Sequence, residues 1–287
     1  MNYDVKLISI KERIKIIFII LIIILLATSC KSVERPNTEK IQENIDVQKE
    51  FIVEKKPLSP KEKLNLFFEG PVKKSNEPVS DEYFNDVVFI GDSVTAGIQL
   101  YKACKNALVI SQTGLTIETI VNNKVKINDK ESSLIEVIKE SNRKKIYIMI
   151  GSNGIGWLDF DYMIKLYGEW LSLLRSEVPE CIIYVQSVIP ITEQRSKVES
   201  KSKVGVTNEK IDSYNAKVFE MCKNKYFHYL DVSEVLKNEQ GVLSEEASPV
   251  DGMHIGIKYY NIWIDYIKTH IINDEDNKSI RDLIFSL

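Results

Sequence analysis

Val87-Val88-Phe89-Ile90-Gly91-Asp92-Ser93 is the stretch that decides how the rest of the chain is read. Four consecutive apolar residues, three of them β-branched, predict a strand buried on both faces. Gly91 interrupts the run, and residues 94–103 continue in a pattern that suits a helix. Ser93 thus stands at a strand-to-helix turn. On the carboxyl edge of a parallel sheet, such turns are where ligands bind. The backbone N–H groups at the start of a helix also favour an oxyanion. Serine is equally at home as an N-cap, so the turn alone leaves both roles open.

Outward from this turn, strand-like and helix-like segments alternate. Residues 107–110, 146–150, 182–186 and 226–230 read as further strands. Helical patterning covers about 116–122, 132–141, 160–176, 209–223 and 256–272, with a short helix at 275–286. In 160–176, Leu166, Trp170, Leu173 and Leu174 are read as one apolar face, ended by Pro179. Residues 192–208, charged and serine-rich, read as a surface excursion. This alternation predicts an α/β fold: one three-layer α/β/α domain, residues 81–287, around a five-stranded parallel sheet with right-handed crossovers.

The N-terminus carries an address. Lys6, Lys11, Arg13 and Lys15 precede twelve unbroken apolar residues, Ile16 to Ala27. A basic front and a short apolar middle make an export signal, too short for a comfortable membrane span. Ala27-Thr28-Ser29-Cys30 resembles the lipobox of bacterial lipoproteins, with Ala27 where that pattern prefers leucine. The resemblance implies lipidation at Cys30; an uncleaved anchor and free secretion stay open beside it. Each of the three places the rest of the chain outside the cytoplasm. Residues 31–80, polar and broken by prolines, read as a flexible tether with a reach of roughly 40 Å, and a small helical subdomain at 58–70, with Leu64 to Phe68 docking on the domain, is the alternative. The formal charge of −3 implies no broad basic patch and argues against a nucleic-acid partner. Cys104, Cys181 and Cys222 form an odd set without metal-ligand spacing and read as small buried hydrophobes. No metal or cofactor is expected.

The chemistry gathers in loops that follow strands. His254 lies in Asp251-Gly252-Met253-His254, a loop before the last long helix, and the chain has only three histidines. Asp251 is placed to accept from one ring nitrogen and leave the other as a base for Ser93. Asn153, in Gly151-Ser152-Asn153-Gly154, offers an amide NH₂ to a developing oxyanion, together with the N–H groups of Ser93 and Gly114. Asp92 and Trp157 are candidate substrate contacts, with Tyr162 and Tyr101 as further aromatic candidates for a sugar platform. Thr95 stands where the G-x-S-x-G elbow needs its second glycine, which argues against an ordinary α/β-hydrolase.

Gly91-Asp92-Ser93, Gly114, Gly151-Ser152-Asn153 and Asp251-Gly252-Met253-His254 together resemble the four ordered blocks of the SGNH (GDSL-type) hydrolase family, over residues 85–270. The resemblance implies a flavodoxin-like sheet ordered 2-1-3-4-5 and ester hydrolysis through an acyl-serine intermediate. Ser93 would be nucleophile, His254 base then acid, and Asp251 its orienter. The Ser93 and Gly114 N–H groups and the Asn153 amide would form the oxyanion hole. Gly154 departs from the aspartate usual in the third block. The expected activity is an extracytoplasmic serine esterase acting on acyl esters, such as O-acetyl groups on glycans. An O-acyltransferase passing the acyl group to cell-wall sugars, and a non-catalytic surface binding protein on the same scaffold, are the alternatives.

Overall fold

The computed structural model describes residues 57–287 except 123, 128 and 129, and no side chain in 122–131. The export segment, Cys30 and most of the expected tether lie outside the described residues.

Strand β1, Val87–Gly91, is buried along its whole length. Its alternate residues serve two different cores, as the period of a strand requires. Val88 and Ile90 point into one apolar cluster and Val87 and Phe89 into the other. Four more parallel strands flank it: β2 (Leu108–Ser111), β5 (Lys145–Met149), β6 (Ile182–Gln186) and β7 (His228–Leu230). The order across the sheet is β2-β1-β5-β6-β7. Counted among the sheet's own strands, that is 2-1-3-4-5. The shift in numbering comes from an antiparallel hairpin, β3 (Lys124–Ile127) and β4 (Lys130–Ser133), which the sequence reading missed.

Helices cover both faces. Against Val88 and Ile90 lie α3 (Ile117–Asn122), α4 (Leu134–Ser141), α5 (Phe160–Glu177) and α7 (Asn208–Lys225). Against Val87 and Phe89 lie α2 (Ser93–Leu100) and α8 (Ile257–Thr269). In α5 the buried face is Met163, Tyr167, Trp170, Leu171 and Leu174, spaced at helical intervals. Leu173, expected on that face, is turned to solvent. In-register aromatic rings cross the second face: Phe89 beside Tyr147, Tyr147 stacked on Tyr184 at 4.3 Å, and Tyr184 beside His228. Burial, with a smaller contribution from Arg175, pushes the His228 imidazole down to about 3, so it is a neutral ring of the core.

Two further helices correct the expected tether and excursion. Helix α1, Pro60–Phe67, is capped reciprocally by Ser59 and Glu62. It packs Leu64 and Phe68 against Ile280 of α9, Asp274–Phe285. Phe68 also lies 5.2 Å from the His228 ring, and the Val72 N–H donates to the Tyr229 carbonyl on edge strand β7. Residues 58–80 are therefore part of the folded unit, which spans Leu58–Leu287. Within 192–208, Thr192 caps α6, Glu193–Glu199.

Candidate active site

The carboxyl ends of β1, β2, β5 and β7 lead into the loops that hold the candidate residues. Gly91 closes β1 because a side chain there would meet the Thr95 hydroxyl at 2.0 Å and the Met149 carbonyl at 2.8 Å. The chain turns at once into α2. Asp92 caps that helix by accepting from the Val94 N–H (2.9 Å), which leaves Ser93 at its first turn with an N–H that has no partner inside the helix. Tyr260 of α8 braces the turn by donating to the Val94 carbonyl at 2.7 Å.

Ser93 Oγ lies 2.9 Å from His254 Nε2, across 161 residues of sequence. On the other side of the ring, His254 Nδ1 lies 2.6 Å from Asp251 Oδ2. Asp251 Oδ1 accepts from the Met253 N–H (2.9 Å), the His254 N–H (2.9 Å) and Ser248 Oγ (3.1 Å). Partial burial raises the Asp251 pKa, but the hydrogen bonds from the His254 and Met253 amides and the His254 ring outweigh it. The carboxyl is held well below the usual carboxylate range. An ionised Asp251 fixes the proton of His254 on Nδ1. That leaves Nε2 free to accept the proton of Ser93.

The third and second loops meet beside this relay. Asn153 Nδ2 donates to Asp92 Oδ2 at 3.0 Å and to the Leu115 carbonyl at 3.2 Å. Gly114 precedes Leu115 and takes φ +74°, a left-handed conformation that glycine adopts without strain. The Gln112 N–H ties this loop to the Gly91 carbonyl at 3.2 Å. Gly151, at φ +148°, lets the third loop pass the Tyr214 ring, which a Cβ would meet at 2.3 Å.

Asp92, expected to touch substrate, does not reach the cleft. It is 1 % exposed, and its second oxygen accepts from Ser152 Oγ as well as from Asn153. Burial raises its pKa against the lowering effect of the Ser152 and Val94 bonds. Trp157 is exposed, and its indole N–H donates to the Asn153 carbonyl at 2.8 Å. Tyr162 is exposed too, and its hydroxyl bonds Glu118. Tyr101 sits past the far end of α2, roughly 12 Å along the helix from Ser93, where it rests on the Tyr260 ring. It does not belong to the rim.

Sequence reasoning missed the supports: Ser152 on Asp92, Ser248 on Asp251, and residues 192–208. A serine three residues before Asp251 was the available signal for Ser248. The 192–208 segment bridges the loops that carry Asn153 and His254. At one end, the Thr192 N–H donates to the Gly252 carbonyl (2.9 Å) and Arg195 Nη1 approaches the Asp251 carbonyl (3.4 Å). At the other, Lys210 Nζ binds the Gly205 carbonyl (2.7 Å) and approaches that of Gly156 (3.4 Å). Among the described residues, no cluster of three or more His, Cys, Asp or Glu is arranged to hold a metal.

No protein-family model matches this chain, and no curated protein sequence does. Solved structures do resemble it. A candidate platelet activating factor from Streptococcus pneumonia aligns over 81 % of this chain and 98 % of its own, at 18 % identity and a TM-score of 0.50. A GDSL-like lipase from Bacteroides thetaiotaomicron aligns over 67 % of this chain and 89 % of its own, at 17 % identity and a TM-score of 0.49. A peptidoglycan O-acetylesterase aligns over 63 % of this chain and 48 % of its own, at 10 % identity and a TM-score of 0.44. The likeness to the first of these is one of fold alone, the α/β architecture with a five-stranded parallel sheet described above.

Proposed function

We propose that this chain is a serine ester hydrolase of the SGNH type, with Ser93 as nucleophile, His254 as general base and acid, and Asp251 as the orienter of His254. The relay from Ser93 through His254 to Asp251, at 2.9 and 2.6 Å, carries the reading. Ser93 Oγ attacks the ester carbonyl as its proton passes to Nε2. The tetrahedral intermediate expels the alcohol, which takes that proton, and leaves acyl-Ser93. Water then attacks the acyl carbonyl, giving its proton to Nε2, and Ser93 regains a proton as the carboxylic acid leaves.

The oxyanion of each intermediate falls to the N–H groups of Ser93 and Gly114 and to the Asn153 amide. Both hydrogens of that amide are engaged at rest. The longer bond, to the neutral Leu115 carbonyl, is the one exchanged for the developing charge. The bond to Asp92 holds the amide in place meanwhile.

The substrate in this proposal is an acyl ester on an extracytoplasmic glycan, met by a domain tethered through its N-terminus. Support for the tether is the basic and apolar sequence ahead of Cys30. Support for the sugar is Trp157, an exposed ring held beside Asn153 by its own N–H, so that its face is free to stack. A fluorophosphonate probe tests the chemistry on the full-length protein. Labelling should occur at Ser93, vanish in Ser93→Ala and drop sharply in His254→Ala. A protein that stays unlabelled while folded would leave a binding role on the same scaffold.

A further inference from the structure

We propose that Arg195, Glu199 and Lys210 form a polar brace that fixes the spacing between the His254 loop and the Asn153 loop, and so act as positioning residues for the reaction. The inference rests on the reading of His254 as the base for Ser93 and of Asn153 as an oxyanion donor. Chain connectivity creates the need for a brace. Asn153 follows soon after Met149, the last residue of β5. Asp251 and His254 instead lie far along the chain from Leu230, where β7 ends. The sheet thus places one loop directly and leaves the other to be held by whatever packs against it.

The brace runs through side chains of α6 and α7. At the His254 loop, Arg195 Nη1 lies 3.4 Å from the Asp251 carbonyl. The Thr192 N–H doubles that contact by donating to the Gly252 carbonyl, and Gly252, at φ +75°, has no room for a side chain against Arg195 and Thr192. Arg195 Nη2 pairs with Glu199 Oε1 at 2.6 Å, one turn along α6. Glu199 Oε2 accepts from the Val206 N–H at 3.2 Å, and the Glu199 carbonyl packs on Gly205. The Gly205 carbonyl accepts from Lys210 Nζ at 2.7 Å. The same ammonium reaches the carbonyls of Lys203 (3.2 Å) and of Gly156 in the Asn153 loop (3.4 Å). Gly156 also packs directly on the Val204 carbonyl, and the next residue, Trp157, donates to the Asn153 carbonyl. Lys210 is the third residue of α7, where the helix dipole disfavours a cation. The contacts at its tip account for it: an ammonium carries three donors on one atom, and three carbonyls surround this one.

The test is a double-mutant cycle on the full-length protein. The kcat for p-nitrophenyl acetate is expressed per Ser93 that a fluorophosphonate labels at completion, so unfolded molecules are not counted. Arg195→Met and Lys210→Met should each lower that kcat about 10-fold or more and change KM less than about threefold, since a displacement of about 1 Å costs up to about 10² in rate. Either cut opens the same brace. The double variant should therefore lose little beyond the larger single loss, whereas losses at independent supports multiply. Lys210→Arg, which keeps donors at the tip, should hold kcat within about threefold of wild type. Glu199→Gln severs only the ion pair and should lower kcat in the same direction; paired with Lys210→Met, it puts the same question if the first double variant does not fold. Wild-type kcat per labelled serine in the single variants, or losses that multiply, would overturn the brace and leave the esterase reading standing. A folded wild type that neither labels nor turns over ester would remove both.

Discussion

Asp251→Asn isolates the least visible part of the relay. The substitution is nearly isosteric, and Oδ1 can still accept from the Met253 and His254 N–H groups and from Ser248, so the loop keeps its shape. What changes is the 2.6 Å contact with Nδ1, where an NH₂ now donates. The ring must answer by accepting at Nδ1, which places its proton on Nε2, aimed at Ser93 Oγ 2.9 Å away. A protonated Nε2 cannot act as base. Wrong-tautomer substitutions of this kind lower turnover by about 10⁴, or roughly 5.5 kcal/mol in the barrier. The assay is kcat/KM for p-nitrophenyl acetate at pH 8, with the rate of Ser93 phosphonylation measured in parallel. Tm should move little, because each kcal/mol lost shifts a domain of this size by only about 2–4 °C. A folded variant that keeps more than a tenth of wild-type kcat/KM would refute the role given to Asp251.

Three other outcomes follow from the same geometry. Asn153→Ala should lower kcat about 10²–10³-fold with little change in KM, as removal of one oxyanion donor does; a change confined to KM would instead make Asn153 a binding residue. Asp92→Asn should lower kcat by loosening the Asn153 amide, and it should also flatten the pH dependence of stability. Folding raises the Asp92 pKa, so the wild type loses stability as pH climbs from the unfolded value near 4 through the folded one. Melting curves between pH 4 and pH 8 should therefore show a larger decline for the wild type than for the variant, and parallel declines would count against burial outweighing the hydrogen bonds that Asp92 accepts. Gly151→Ala combines a φ of +148° with a Cβ 2.3 Å from the Tyr214 ring. It should cost about 2–4 kcal/mol by denaturant titration, from backbone strain and overpacking together.

What was legible in the sequence was whatever a local pattern dictates. A strand buried on both faces has to be apolar at every position, so Val87 to Ile90 announced β1 and with it the turn at Ser93. His254 stood out because the other two histidines fall within predicted elements, and the structure buries both. Long-range partners were not legible. Asp92 looks like an exposed loop acid until Ser152 and Asn153 arrive from sixty residues away to enclose it. Helix α1 was legible only as an alternative to a tether, from the apolar run Leu64 to Phe68, and its partner, Ile280 of α9, was not. In the β3–β4 hairpin Lys124-Val125-Lys126-Ile127 does alternate polar and apolar residues, but the segment is only four residues long and its partner, Lys130-Glu131-Ser132-Ser133, carries no apolar residue to match it. Around α5 leucines occur on several faces, and only the sheet chooses Leu171 over Leu173.

The clasp of α1 and α9 has a mechanical consequence. It grips the rim of β7 near Tyr226 and Arg175, residues that close α7 and α5 at the amino-terminal end of the strands. Ser93, Asn153 and His254 come off the other end. Leu64, Phe68 and the aromatic row beyond them thus lie between residues 58–63 and the sheet, at the end of the strands away from the 2.9 Å gap between Ser93 and His254, so a load on that part of the chain meets the clasp before it meets the loops.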